Sequence, residues 1–117
     1  MLKYHAVNSL TIAEVVDPEE ISGPGEILDL MADARYNGSD RMIFHSKDLN
    51  PGFFELKTGI AGEILQKFSN YRMKLSIVGD FSEIKSKSLN DFIRESNRTG
   101  IITFVATMEE ALERLGR

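Results

Sequence analysis

At 117 residues, 42% of them hydrophobic and 27% charged, the chain has apolar material for one buried core and no room for a second, so residues 1–117 are expected to form a single domain. It contains no cysteine, which excludes disulfides, thiolate metal sites and a cysteine nucleophile. A net charge of −4 argues against nucleic acid as a partner, which needs clustered Lys and Arg; no stretch approaches the roughly 20 apolar residues of a membrane span, so a cytoplasmic protein without membrane contact is expected.

Tyr4, Ala6, Leu10, Ile12, Val15 and Val16 mark two short strands around Asn8-Ser9, a polar pair suited to a tight turn, and the chain is expected to open on a β-hairpin. Residues 17–25, rich in Pro, Glu and Gly, read as a loop, with Pro24 in the first turn of a helix. Ile27, Leu30, Met31 and Ala34 recur at helical spacing, and Gly38 supplies a left-handed stop. Arg41-Met42-Ile43-Phe44-His45 is a short apolar strand, followed by a loop broken at Asn50-Pro51-Gly52.

Ile60, Ala61, Ile64, Leu65 and Phe68 line one face of a second helix, with Glu63, Gln66 and Lys67 on the other side. The run from Lys74 to Gly79 is an interior strand. Leu89, Phe92 and Ile93 mark a third helix, with Ser88 and Asp91 spaced as a capping pair and Gly100 as its stop. Ile101 to Val105 is the last strand, and Thr107-Met108-Glu109-Glu110 has capping-box spacing before Ala111, Leu112 and Leu115 of a closing helix. The order is ββαβαβαβα, an α/β fold on a single mixed sheet, and parallel late strands would bring residues 46–58, 80–88 and 106–107 to one edge.

Candidate functional residues concentrate at that edge. Thr58-Gly59 at the head of a helix offers a hydroxyl whose phosphorylation the helix dipole would favour; equally, Thr58 is a helix cap and Gly59 a packing residue. Gly59 and Gly62 are spaced to let the helix approach the sheet or another chain closely, and Lys57 and Glu63 flank them. Asp80, directly after a strand, either orients a partner or closes an Asx turn with Ser82. His5 and His45 are the two histidines, and His45 ends a strand at the same edge, as a base or ligand or as a half-buried strand-end residue. Phe53-Phe54 anchors its loop to the core or lines a pocket. No nucleophile elbow, Walker loop, dinucleotide fingerprint or His-Glu-x-x-His is present, so no catalytic residue, metal or cofactor is assigned.

Phe53 to Phe68, with Asn70-Tyr71-Arg72 and Ile77-Val78-Gly79-Asp80-Phe81, resembles the signature of an uncharacterised bacterial domain-of-unknown-function family (four-one-eight-zero). The topology is also similar to the STAS group, which includes anti-sigma-factor antagonists that signal by phosphorylation at the start of the helix after a central strand. Thr58-Gly59-Ile60 falls where that group has its Ser/Thr-Gly-Leu step, while Leu56 stands where it has an acidic residue. The resemblance implies a non-enzymatic regulatory or binding domain that meets a protein partner or small ligand around Lys57-Thr58-Gly59. The competing expectation is a small enzyme or ligand-binding protein with a pocket at the same edge, built on His45, Asp80 and Glu63. Self-association as a homodimer through the hairpin edge is a further expectation.

Overall fold

The computed structural model describes residues 1–16, 21 and 23–117. Most of the expected loop over 17–25, namely Asp17, Pro18, Glu19, Glu20 and Ser22, lies outside the described residues. Among those described, the chain forms one five-stranded mixed sheet and four α-helices. The elements are β1 (Leu2–Val7), β2 (Leu10–Val15), α1 (Pro24–Tyr36), β3 (Arg41–His45), α2 (Ile60–Asn70), β4 (Lys74–Val78), α3 (Lys87–Thr99), β5 (Ile102–Val105) and α4 (Met108–Leu115). Short 3-10 turns at Ser46–Asp48, Pro51–Phe54 and Leu56–Thr58 fill the connection from β3 to α2.

The sheet order follows the chain, β1-β2-β3-β4-β5, with β1 antiparallel to β2 and every later pair parallel. Asn8 and Ser9 both take positive φ, 50° and 68°, the turn whose twist matches a two-residue hairpin. Right-handed crossovers that all step in one direction leave α1, α2 and α3 on the same face. There Ile27, Met31 and Ala34 of α1 and Ala61, Ile64 and Phe68 of α2 close over Ala13, Met42, Phe44, Leu75 and Ile77. The opposite face has α4, whose Ala111 and Leu115 pack on Ile12, Ile43 and Val105.

The end signals act as local chemistry requires, with three differences. Pro24 opens α1, and Gly38 and Gly100 take positive φ after α1 and α3. The cap of α3 is Ser86, whose hydroxyl accepts from the Leu89 N–H, rather than Ser88; Asp91 instead pairs with Lys87 and Arg94 along the exposed face. Thr107 caps α4 through the Glu110 N–H, but Glu110 reaches back to the N–H of Ala106. The N-cap position of α2 is Gly59, at φ 77°, and Thr58 lies one residue outside the helix.

An aromatic chain ties the long β3–α2 connection down. Phe53 is buried and meets Phe54 edge to face; Phe54 continues to Phe81, and Phe81 to Phe104 of β5. The pair therefore anchors its loop, and the loop ends of β3 and β4 are fixed against each other.

Candidate functional site

The most polar buried position in the sheet is Glu14, in the middle of the otherwise apolar run Ile12-Ala13-Glu14-Val15. Strand alternation puts Glu14 on the face of Ile12, where the register sets Ile43 beside it on β3 and Lys3 opposite it on β1. Two residues further along β3 on that face is His45, and two along β1 is His5. Their Nε2 atoms lie 2.7 Å and 2.8 Å from the two carboxylate oxygens, His45 on Oε2 and His5 on Oε1. One carboxylate thus accepts from an imidazole on each side, which orients both rings with Nε2 as donor.

Burial pushes the Glu14 carboxyl up, but the hydrogen bonds and charge interactions of His45 and His5 outweigh it and hold the group below its ordinary value. The Glu14 side chain is 10% exposed, while the two histidine side chains keep about one-fifth of their surface open. The cluster spans β1, β2 and β3 beside α4, which lies mainly over β4 and reaches Ile12 and Ile43 through Leu115. Among the described residues, no group of three His, Asp or Glu side chains has the geometry to hold a metal ion. What the arrangement does chemically is fix two imidazoles by one buried charge.

At the edge where the parallel strands end, the remaining candidates are separated. Thr58 is exposed, and its hydroxyl lies 2.8 Å from both the Gly52 and Glu55 carbonyl oxygens while accepting the Ile60 N–H at 3.2 Å. Lys57, Gly59 and Glu63 are exposed beside it. Gly62 is exposed too, and a Cβ there would meet nothing within 4 Å, so it does not serve a close approach of α2 to the sheet. Asp80 accepts from the N–H and hydroxyl of Ser82 in an Asx turn, and those bonds hold its carboxyl below the ordinary range.

The structure therefore joins His45 to Glu14 and His5 and leaves Asp80 to Ser82. A cleft of about 230 Å³ at the edge is lined by Ser46, Lys47, Phe54, Asp80, Phe81 and Ile84, and His45 is not in its wall. Glu14 escapes a reading that looks for polar residues at strand ends. The signal available was a lone carboxylate inside an apolar strand, which burial forbids unless a partner is supplied from a neighbouring strand.

Fold and site define a small mixed α/β domain with a fixed His-Glu-His cluster on one sheet face and an exposed Thr-Gly step at the strand ends. The chain belongs to a family described as a domain of unknown function (DUF4180), whose model matches residues 7–115. Comparison with curated proteins gives no match. Among the described residues, no helix is long and apolar enough to cross a membrane.

Proposed function

We propose that this is a cytoplasmic, non-enzymatic regulatory or binding domain of STAS-like architecture that meets a protein partner at the surface around Lys57, Thr58 and Gly59. The observation that carries the reading is the position of Thr58: exposed, on the connection that leaves the central strand β3, and immediately ahead of α2. Its single hydroxyl proton serves the Gly52 and Glu55 carbonyls, which close the turns from Pro51 to Thr58. A phosphoryl group would remove that donor and place about two negative charges against carbonyl oxygens. The turn would then open toward the first N–H groups of α2 and the Lys57 ammonium, where negative charge is favoured. Modification and surface shape are coupled in this way, and Phe53 and Phe54 limit the change to the outer part of the loop.

The separation of His45 from Asp80 supports a binding surface over a catalytic pocket, because the expected pair does not converge at the cleft: His45 is held by Glu14 and Asp80 by Ser82. A photo-crosslinking amino acid at position 57, introduced into the chain in its own cells, tests the surface. Tyr36, 91% exposed at the C-terminal end of α1, provides the control position at the other edge of the sheet. The reading expects one discrete protein adduct from position 57 and none from position 36. Equal adducts from both, or none from either, would contradict it.

A further inference from the structure

The two edges of the sheet are finished differently. At β5, the Asn97 side chain of α3 acts as a substitute strand, its Oδ1 accepting from the Phe104 N–H at 2.7 Å and its Nδ2 donating to the Phe104 carbonyl at 3.3 Å. The outward groups of Phe104 are thereby taken, which obstructs a further strand at that point. At β1, among the described residues, pairing is on one side only.

The hairpin register decides which groups of β1 look outward. Val7, His5 and Lys3 face Leu10, Ile12 and Glu14, and the Val16 N–H donates to the Met1 carbonyl, so the odd-numbered residues exchange hydrogen bonds with β2. The N–H and C=O groups of Leu2, Tyr4 and Ala6 therefore point away from the sheet. The side chains of the same three residues form an apolar stripe on the α1 face, and Tyr4 is 39% exposed, large for an aromatic residue on an edge strand.

We infer that a second copy of this chain pairs with β1, antiparallel and about a two-fold axis at Tyr4, to give a continuous ten-stranded sheet. Three two-fold registers keep outward groups facing outward groups near the middle of the strand. Centring on Lys3 would oppose two ammonium groups directly, and centring on His5 would leave Leu2 beyond the pairing. Centring on Tyr4 pairs all three outward residues, Tyr4 with Tyr4 of the partner subunit and Leu2 with Ala6 of the partner subunit, and makes the apolar stripe continuous across the axis. On the other face it sets Lys3 of the partner subunit opposite His5, next to the buried Glu14 carboxylate that His5 and His45 share. The cation of each copy thus approaches the anionic cluster of the other. Nothing in this surface overlaps the Thr58 edge.

A single strand pair is a small interface, so association belongs at the weak end, at chain concentrations up to about 1 mM. Sedimentation of the full chain over that range is expected to show a reversible dimer, and Tyr4→Lys, which opposes two ammonium groups at the axis, is expected to shift it at least tenfold toward monomer. The absence of native cysteine makes single-cysteine cross-linking direct. Residues paired at the axis have Cα atoms about 5.5 Å apart, inside the disulfide range of roughly 4.4–6.8 Å. Position 6 and its symmetry mate would lie about 13 Å apart along the strand. Tyr4→Cys is therefore expected to oxidise to a covalent dimer and Ala6→Cys to remain monomeric. A wild-type chain that stays monomeric, a dimer indifferent to Tyr4→Lys, or equal cross-linking at positions 4 and 6 would overturn the proposal.

Discussion

Glu14 and His45 are joined across the β2–β3 pair, carboxylate Oε2 to imidazole Nε2 at 2.7 Å, from a position where the carboxylate is almost wholly buried. The other oxygen of the same group holds His5 on β1. One side chain therefore ties three adjacent strands on a face that α4 covers only in part. A charge in that position is costly unless paired, so both imidazoles are part of the reason the sheet accepts it.

The stability of the domain should depend on pH through Glu14. Its folded-state carboxyl titrates below its unfolded value, so the unfolded chain binds the proton first on acidification. The stabilisation is present above the ordinary carboxyl value of 4.5 and is lost as pH falls through the depressed folded value. Glu14→Gln keeps the shape but removes the charge, and should cost about 1–3 kcal/mol at neutral pH. It should also flatten the acid limb, which urea melts of both proteins between pH 3 and pH 7 would measure as a gap closing toward low pH.

His45 and Asp80 should respond differently to truncation. His45→Ala removes the donor on Oε2 of the buried Glu14 carboxylate and should destabilise by about 1–3 kcal/mol. Asp80→Ala loses only the exposed turn with Ser82, and its thermal midpoint should stay close to that of the wild type. Thermal melts of the two variants side by side make the comparison.

Two glycines of the strand-end region should give opposite signs. A Cβ at Gly79 would stand 2.1 Å from the Ser46 hydroxyl oxygen and 2.7 Å from its Cβ, because the end of β4 runs against the loop after β3. Gly79→Ala should cost about 1–3 kcal/mol by overpacking. Gly62 has open space around it in the first turn of α2, and Gly62→Ala should stabilise by about 0.5 kcal/mol through lost freedom of the unfolded chain. Denaturant midpoints report both.

The mixed α/β class, the single sheet and the four helices were legible because each rests on local chemistry. Asn8-Ser9 accepts positive φ, Pro24 starts a helix, Gly38 and Gly100 end helices, and Phe44, Ile64 and Phe68 fall on apolar faces whatever their neighbours. Ser86 was missed as the cap of α3 because Ser82, Ser86 and Ser88 all precede the apolar run at usable distances, and only the path of the chain from Asp80 selects among them. The His5-Glu14-His45 cluster was not legible as a unit. His5 and Glu14 are nine residues apart in sequence, and His45 is thirty-one from Glu14. They meet only through the antiparallel register of β1 on β2 and the parallel placement of β3 beside it, a tertiary fact that no local pattern carries. The Gly59–Gly62 spacing is ambiguous for the converse reason: glycine spacing on a helix does not say which side faces the sheet, and Gly62 faces away from it.

If Thr58 switches the binding surface, the intact mass of the protein recovered from its own cells under phosphatase inhibition, with fragmentation across the peptide that contains Thr58, should show a population carrying one phosphate, mapped to Thr58 and changing between growth and stress. An unmodified Thr58 under every condition would contradict that role, and would leave the hydroxyl as the clasp of the turns from Pro51 to Thr58.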